Sequence, residues 1–348
     1  MRVAIATTLV PFTRGGAEAL ARELCRAVRA AGHEAEMVEI AFKHYPVECI
    51  LDHMLACRLL DLTESNGTPI DRVIGLKFPA YLVHHPHKVL WLLQQHRMAY
   101  DLWGHDQGDM HRDPSGSLVR EAIHKADEGT MRHAEDVYTI SENVAQRLRR
   151  YNQLDGTCLY HPPPLADLCH TLPAEPYFFF PSRITPLKRQ ELVIRALAHC
   201  NQDVQVRFAG APDHPPYLDT LRKLAETLGV ASRIAWLGRI DDKEMCESYA
   251  RCLGVVFVPE DEDYGYVTLE AFLSAKPVIT VSDAGGVLEF TRDGETGLVT
   301  DPEPEALAEA LDSLWSDPGA AKRLGRNAKE YYRSLDISWE YVVERLLS

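Results

Sequence analysis

The sequence lacks several features that would assign it to a common class of protein. It has no run of 18 consecutive apolar residues, so we expect no membrane-spanning helix. Its first residues form a strand-like segment without the basic, apolar and small-residue regions of a secretory signal. We therefore expect a cytoplasmic protein, and contact with the inner face of a membrane stays open. A formal net charge of −14 also predicts that the protein has no nucleic-acid partner.

Paired cysteines are missing as well. None of the 8 cysteines stands in a CxxC pair, and several lie in apolar helical patterns, as Cys25 does after Leu24. Reduced thiols are therefore predicted, not a disulfide framework or a zinc site. The histidines of 84–87 precede a predicted strand, and the polar loop 105–113 fits an acceptor-facing segment better than a metal site. Asp261-x-Asp263 formally matches a DxD pair but belongs to a longer motif. We expect no bound metal and no cofactor.

What the sequence does contain is an alternation of strand-like and helix-like patterns along 348 residues, a length that favours two domains. The predicted strands are 3–7, 36–40, 72–76, 88–93 and 137–140, then 177–180, 204–209, 234–237, 254–258 and 278–281. A proline triplet at 162–164 separates the two series. The pattern predicts an α/β protein with two doubly wound Rossmann-like domains facing across a central cleft. The carboxyl ends of both sheets would border that cleft, which is the expected ligand site.

The segment 255–273 has the most informative pattern in the chain. A buried strand is followed by an acidic loop, by Gly265, which permits a tight turn, and by a helix predicted to begin near Thr268. Glu262 in the loop and Glu270 in the first helical turn could both face a ligand at the amino end of this helix. That end also offers unpaired N–H groups to an anion. The alternative is a solvated acidic loop followed by a favourable first-turn acid.

Two cations follow the strand that opens the second series. Arg183 and Lys188 lie five residues apart in the turn between this strand and the next predicted helix. Arginine offers a bidentate fork and lysine a compact charge, and both suit a diphosphate. In a domain with excess acid we favour an anionic ligand, although ion pairs with the acidic loops stay open.

These motifs, in this order, resemble those of the family 4 retaining glycosyltransferases of GT-B fold. The segments that carry the resemblance are Glu262-x7-Glu270, Arg183-x4-Lys188, residues 283–289, residues 293–298 and Gly15-Gly16-Ala17-Glu18. The resemblance covers nearly the whole chain and is strongest over 177–345. It implies an acceptor-side domain over 1–168 and a nucleotide-sugar-binding domain over 169–335. A helix at about 336–348 would pack back on the first domain.

The resemblance also implies roles for individual residues. Glu262 would bind hydroxyls of the transferred hexose and Glu270 the ribose. Arg183 and Lys188 would hold the diphosphate and stabilise charge on the departing nucleotide without a metal. Gly16 would allow close approach of the backbone to the donor. The other predicted substrate-binding positions are Gly15, Arg239 and Ile240 at the base pocket, and Gly265, Tyr266, Val267 and Thr268 at the helix start.

The acceptor side is predicted from the segment after the strand 88–93. Related enzymes often carry a histidine near the anomeric centre, and His96 is the candidate here. Glutamines at the two positions after the strand leave open a slip of one or two residues. Arg97, Tyr100 and Asp101 are then either acceptor contacts or ordinary residues at a helix start.

The predicted activity is transfer of a hexose, with retention of anomeric configuration, from a nucleotide-diphosphate sugar to an acceptor hydroxyl. A UDP-sugar is favoured over a GDP-sugar. The acceptor would be a cell-surface glycan or a lipid carrier in preference to a small molecule. A GT-B-fold nucleotide-sugar epimerase and a non-catalytic sugar-nucleotide-binding protein are alternatives. A dinucleotide-dependent oxidoreductase would need a GxGxxG turn after the first strand, where residues 14–18 offer only a glycine pair.

Overall fold

A computed structural model describes residues 1–12 and 15–348. Arg14, which opens the segment with the glycine pair, lies outside the described residues. The chain forms two compact units, one of Met1–His161 with Ser338–Ser348 and one of Pro162–Ile337. This division falls at the start of the proline triplet, seven residues before the predicted boundary (161 against 168). Within the described ranges, no helix has the length and apolar character that a membrane span requires.

The first unit is built on a parallel sheet of six strands. Its strands are β1 (Arg2–Leu9), β2 (Glu34–Ala41), β3 (Glu64–Ser65), β4 (Thr68–Pro69), β5 (Arg72–Gly75), β6 (Lys88–Leu92), β7 (Asp136–Thr139) and β8 (Thr157–Cys158). The sheet order is β2-β1-β5-β6-β7-β8, and β3 and β4 form a separate antiparallel pair. The central strand β6 is buried along its whole length. This burial on both faces explains its continuous apolar sequence.

Four helices follow these strands: α1 (Gly16–Ala30), α2 (Cys49–Leu59), α3 (Gly116–Met131) and α4 (Glu142–Asn152). Helix α1 is amphipathic, and its Leu20, Leu24 and Val28 are all buried. Helix α4 begins where Ser141 accepts a hydrogen bond from the N–H of Val144 (3.0 Å). Ser141 is thus an N-cap.

The second unit contains another six-stranded parallel sheet, of order β11-β10-β9-β12-β13-β14. Its strands are β9 (Phe178–Pro181), β10 (Val206–Ala209), β11 (Ile234–Gly238), β12 (Gly254–Val256), β13 (Val278–Val281) and β14 (Gly297–Thr300). Its helices are α5 (Gln190–His199), α6 (Pro215–Thr227), α7 (Asp242–Arg251), α8 (Tyr266–Leu273), α9 (Pro304–Ser316) and α10 (Pro318–Ser334). In order of appearance along the chain the strands lie 3-2-1-4-5-6, the doubly wound dinucleotide-fold order.

The last helix, α11 (Trp339–Leu347), belongs to the first unit. Its Val342 and Leu346 are fully buried, and the ring of Trp339 meets the ring of Trp91 edge to face, with 6.2 Å between centroids. The guanidinium of Arg72 donates to the carbonyl oxygen of Leu346 (3.0 Å). Apolar packing and a hydrogen bond thus fix this helix to the first sheet.

The predicted α/β class with two doubly wound Rossmann-like domains is confirmed, and every predicted strand overlaps an observed one. Several boundaries differ. Helix α8 begins at Tyr266, two residues before the predicted start at Thr268. Glu270 is consequently the fifth helical residue and not a first-turn residue. Elements that the patterns did not predict are β3, β4, β8, β14 and α10.

Candidate functional site

The strand order of the second sheet reverses between β9 and β12, and three loops meet at the carboxyl ends of the strands there. The N–H of Glu260, after β12, donates to the carbonyl of Leu187, after β9 (2.8 Å). The N–H of Asp261 donates to the carbonyl of Asp283, after β13 (3.0 Å). In open α/β sheets, ligands bind at this crossover point. We call the three loops, 182–189, 257–265 and 282–286, the crossover loops.

A glycine in the third crossover loop permits this close approach. A Cβ atom at Gly286 would lie 2.6 Å from the carbonyl oxygen of Asp263, a distance that side chains do not tolerate. Its own N–H donates to the carbonyl of Glu262 (2.7 Å). Gly286 therefore lets the third crossover loop pack directly against the second and hold it in place.

Two of the predicted site residues meet at the crossover loops. The ammonium group of Lys188 forms an ion pair and hydrogen bond with the carboxylate of Glu262, 74 residues away in sequence. Both side chains are mostly buried, with exposed fractions of 17% and 23%. The Lys188 nitrogen also lies 5.2 Å from the ring centroid of Phe257, within the range of a cation–π contact. The sequence pattern predicted both residues for the site, and the pair corresponds to the ion pair with the acidic loop that was left open as an alternative for Lys188.

Arg183, the other predicted cation, is held differently. Its guanidinium forms an ion pair with Asp213 (2.6 Å) instead of contacting the Lys188–Glu262 pair, and about half of its side chain is exposed (52%). The structure therefore places Arg183 at the solvent side of the first crossover loop. This partner lies outside the acidic loop, which was the alternative left open for Arg183.

Glu270 lies inside the second unit and is 7% exposed. Its carboxylate accepts a hydrogen bond from the hydroxyl of Tyr249 on α7 (2.8 Å) and another from the backbone N–H of Leu165. Burial raises the pKa of Glu270 to about 7, although both hydrogen bonds act in the opposite direction. The carboxyl group can therefore gain or lose a proton near neutral pH.

The amino end of α8 lies where β12 ends. Gly265 is its N-cap and adopts a left-handed conformation (φ 79°), which a side chain would strain. Tyr266 and Val267 are the first two helical residues and are partly exposed. Thr268 is completely buried, and its hydroxyl oxygen has no hydrogen-bond acceptor or donor around it in the described part of the chain. The backbone N–H of Thr268 donates to the carbonyl of Gly265 (3.0 Å), so the first turn of α8 closes on its N-cap.

The predicted base-pocket residues follow β11. Gly238 has a positive φ of 64°, and its carbonyl accepts the N–H of Gly210 (2.7 Å), so the loops after β10 and β11 are joined. Arg239 is exposed and Ile240 is partly buried. Asp241, which follows them, accepts the N–H of Glu244 and caps α7. The pair therefore lies at the same sheet edge as the crossover loops.

In the first unit the strand order reverses between β1 and β5. Gly15 is the N-cap of α1, and Gly16 begins the helix. The carboxylate of Glu18 accepts the N–H of Gly15 (2.7 Å) and lies 3.7 Å from the ammonium group of Lys77, which follows β5. The predicted glycine pair thus stands at the crossover point of its own sheet.

His96 lies beside this crossover point, packed between two aromatic rings. Its ring centroid is 5.2 Å from that of Phe78 and 6.1 Å from that of Phe42. Burial lowers the pKa of His96 to about 4, and the charges of His44 and Lys77 act in the same direction. The imidazole is therefore neutral at physiological pH and can donate or accept a hydrogen bond.

A buried polar network fixes the segment that carries His96. The hydroxyls of Tyr81 and Tyr100 both donate to the carboxylate of Asp127 (2.9 and 2.8 Å), which is fully buried. Asn152 donates to the hydroxyl of Tyr100 (3.2 Å) and accepts from Gln95 (3.1 Å). Burial raises the pKa of Asp127 to about 7. Because Gln95 points into this network, the slip that the glutamines left open finds no support here.

Arg97, the predicted acceptor contact, forms an ion pair with Asp101 (2.7 Å) in which both side chains are largely buried. Tyr100 is buried in the network around Asp127. The structure therefore assigns Tyr100 and Asp101 structural contacts within the first unit.

No group of three metal-ligating side chains comes together within residues 1–12 and 15–348. Instead, His85 contacts the carbonyl of Ile70 (3.0 Å), and His87 contacts the carboxylate of Glu135 (2.7 Å). The 8 cysteines are free thiols. That the protein needs no metal stays a prediction.

The sequence patterns missed three residues of the site. Tyr249 supports Glu270, and Arg189 forms a bidentate ion pair with Asp283 (2.7 and 2.9 Å). Asp283 begins one of the segments that carried the family resemblance, and Arg189 directly follows Lys188, so both lay next to recognised positions. Tyr249 sits in an ordinary helical pattern and offered no signal.

Two doubly wound domains in one chain, the second with an acid–base pair at its crossover point, define the GT-B class of α/β fold. Residues 171–331 match the family described as "Glycosyl transferases group 1". The matched segment lies entirely within the second unit.

Known proteins support the same assignment. A D-inositol 3-phosphate glycosyltransferase of Corynebacterium glutamicum (strain R) is 34% identical over 177 residues, which are 49% of this chain and 41% of the relative. The chain thus matches about two fifths of the length of such relatives.

Solved structures match over almost the full chain. A sucrose-phosphate synthase from Thermosynechococcus elongatus has a TM-score of 0.77 at 20% identity, over 99% of this chain and 97% of the other. Anabaena HepE, solved in complex with UDP-glucose, has a TM-score of 0.71 at 17% identity, over 100% and 98% of the two chains. At these identities the likeness shows the fold.

Proposed function

We propose that this protein is a glycosyltransferase that moves a hexose from a nucleotide-diphosphate sugar to an acceptor hydroxyl with retention of configuration. The observation that carries the proposal is the Lys188–Glu262 pair at the crossover loops of the unit that matches glycosyl transferases group 1. A cation for the diphosphate and an acid for sugar hydroxyls are thereby adjacent, as a bound nucleotide sugar requires.

When the ligand binds, Lys188 and Glu262 would give up their mutual ion pair and each would contact the ligand instead. The ammonium group of Lys188 would bind oxygens of the diphosphate, and the carboxylate of Glu262 would accept hydrogen bonds from hexose hydroxyls. Such charge-assisted hydrogen bonds contribute about 1.5–3 kcal/mol each. Because the two side chains satisfy each other before binding, neither is left as an isolated buried charge.

The chemistry needs stabilisation of the leaving group and no enzymic nucleophile. When the sugar–phosphate bond breaks, negative charge develops on the departing nucleoside diphosphate. Lys188, Arg183 and the amino end of α8 would stabilise that charge electrostatically. The acceptor hydroxyl would attack from the face on which the leaving group departs and pass its proton to the phosphate. This course retains the anomeric configuration and needs no metal.

Glu270 would bind the ribose diol through its carboxylate. With a pKa of about 7, the group exists in both forms at neutral pH. Hydroxyls of a diol donate more strongly to the carboxylate than to the protonated acid, so binding of the nucleotide would favour loss of the proton. We favour uridine as the base because HepE was solved with UDP-glucose, and Arg239 and Ile240 would border the base.

The first unit would contribute to the acceptor side and to transfer. Gly15 and Gly16 would permit close approach of the α1 amino end to the donor. His96, as a neutral imidazole, would form a hydrogen bond near the anomeric carbon, and Arg97 would contact the acceptor. We propose a hydroxyl of a cell-surface glycan or lipid-linked saccharide as acceptor, with reaction in the cytoplasm or at the inner membrane face.

A thermal-shift panel of UDP-, GDP-, dTDP- and ADP-sugars tests the proposal. A UDP-hexose should raise the melting temperature of the protein, by mass action, in the presence of EDTA. NMR of the product should then show retained anomeric configuration. No stabilisation by any of the four donors, in folded protein, would count decisively against the proposed function. Conversion of the nucleotide sugar without any acceptor would identify an epimerase instead.

A further inference from the structure

Arg189 has a backbone conformation that its side chain makes unfavourable. It lies between a 3-10 turn at Pro186–Lys188 and helix α5, with φ 54° and ψ 40°, in the left-handed region. For a residue with a Cβ atom this conformation costs about 1–2 kcal/mol of conformational free energy, and glycine avoids that cost. The backbone alone would favour glycine at this position, so the arginine side chain must contribute something that offsets the strain.

The side chain of Arg189 joins all three crossover loops. It belongs to the first loop and forms two parallel hydrogen bonds with Asp283 of the third (2.7 and 2.9 Å). It also lies 3.4 Å from the carboxylate of Glu260 in the second loop. Only 20% of the side chain is exposed. A bidentate guanidinium–carboxylate pair of this kind fixes orientation as well as charge.

The charges of these loops show why such a contact matters for an anionic ligand. The second and third crossover loops carry five acids: Glu260, Asp261, Glu262, Asp263 and Asp283. Uncompensated, this charge would repel a diphosphate. Lys188 is paired with Glu262, and Arg189 lies between Asp283 and Glu260. The two adjacent cations thereby serve different acids.

We propose that Arg189 is a positioning residue of the nucleotide-sugar site. It holds the second and third crossover loops against the first, and it offsets the negative charge that would otherwise repel the diphosphate. Arg189 itself does not contact the ligand. The inference rests on the proposed function, because it assigns a supporting residue to the same site.

Three variants test this inference: Arg189→Gly, Arg189→Lys and the control Arg195→Gln. Arg195 lies on the same helix region and forms an exposed ion pair with Glu191 (2.7 Å), so its variant removes equal charge from the same unit. Arg189→Gly relieves the backbone strain while removing the side chain. UDP affinity is measured by calorimetry, and amide hydrogen exchange of 259–263 and 282–286 is measured without ligand.

We expect Arg189→Gly to weaken UDP binding at least tenfold and to accelerate amide exchange in both loops at least tenfold. Its melting temperature should stay within about 2 °C of the wild type, because the lost ion pair and the relieved strain offset each other. Arg189→Lys keeps the charge but not the fork, so it should fall between Arg189→Gly and the wild type. Arg195→Gln should match the wild type in both measurements.

The inference is overturned if Arg189→Gly behaves like Arg195→Gln in either measurement. If wild-type protein binds no nucleoside diphosphate, the proposed function has failed, and the exchange measurement then decides the positioning role alone. Faster exchange in the two loops would support it, and unchanged exchange would overturn it.

Discussion

The crossover points of the two sheets contain different chemistry. In the second unit the loops there bring together Lys188, Glu262, Arg189 and Asp283 in ion pairs. In the first unit the described residues at the corresponding place include a longer ion pair, Lys77–Glu18 at 3.7 Å, and beside it a neutral histidine between phenylalanine rings. A charged site suits a diphosphate, whereas an aromatic site with a neutral imidazole suits an uncharged saccharide. We propose that the two units bind different parts of the substrates because their loops differ.

The comparison extends to one buried carboxyl group in each unit. Asp127 accepts hydrogen bonds from two tyrosine hydroxyls, and Glu270 accepts one from a tyrosine and one from the backbone. Burial raises the pKa of both to about 7. Asp127 belongs to a buried network that fixes a segment of the first unit. Glu270 lies on α8, the helix that directly follows the second crossover loop. Similar local chemistry therefore serves rigidity in one unit and, we propose, ligand binding in the other.

The largest expected effect comes from removing the cation of the charged site. Lys188→Ala should weaken UDP binding more than a hundredfold, by about 3 kcal/mol, because the diphosphate loses its charge-assisted contact and Glu262 loses its ion pair with Lys188. Calorimetry with UDP measures this effect. His133→Gln, an exposed change in the first unit, serves as the control. A variant that bound UDP as tightly as the control would show that the charged site is not the diphosphate site.

The next largest effect distinguishes Glu270 from Asp127 by the pH dependence of the free energy of unfolding. The pKa of Glu270 is raised from 4.5 to about 7 on folding, so the stability that its protonated form contributes is lost as the pH rises through 7. Glu270→Gln should therefore be more stable than the wild type at pH 8, by about 2 kcal/mol, and should bind UDP less tightly. Urea unfolding at pH 6 and pH 8 measures the stability.

Tyr249→Phe provides the matched variant for this prediction. It removes the hydroxyl that stabilises the ionised Glu270, so the loss of stability between pH 6 and pH 8 should become steeper. The Glu270→Gln curve should keep the pH dependence that comes from Asp127. Identical pH dependence in wild type and Glu270→Gln would contradict the raised pKa.

The smallest expected effect concerns the aromatic site. His96→Gln should leave UDP affinity unchanged and lower the rate of sugar transfer about tenfold, because it removes one hydrogen bond worth about 1 kcal/mol near the reacting carbon. Calorimetry and a transfer assay on the same preparation measure the two quantities. Weaker UDP binding with normal transfer would reverse the division of tasks between the two units.

Much of the fold could be predicted from the sequence, because strands buried on both faces are continuous apolar runs. Strand β13 was predicted with its observed bounds, Val278–Val281. Helix α10 was not predicted, since its buried face consists of small residues such as Gly325 and Ala328, which give a weak apolar pattern. A Cβ atom at Gly325 would lie 2.1 Å from the carbonyl oxygen of Ala275, so close packing requires the small residue.

The sequence could predict that Lys188 and Glu262 follow neighbouring strands, but not the other contacts of the candidate site. Spacing placed Lys188 and Glu262 at the ends of strands that lie side by side in the doubly wound order, and the pair follows from that order. The spacing does not indicate that Arg183 forms an ion pair with Asp213. Nor does it indicate that Arg189, in the same loop, has a left-handed conformation. Those outcomes depend on which loops approach each other, and local sequence does not encode this.

The return of the last helix to the first sheet has a consequence for synthesis on the ribosome. Between His161 and Ser338 lie 176 residues, all of which form the second unit. At roughly 5–20 residues per second, the amino-terminal part waits about 10–35 s for α11. During that interval the surface that later receives Val342 and Leu346 stays uncovered, while the intervening unit has its whole sequence available for folding. The first unit, although most of it is translated first, can therefore complete its fold only after the second unit has been translated.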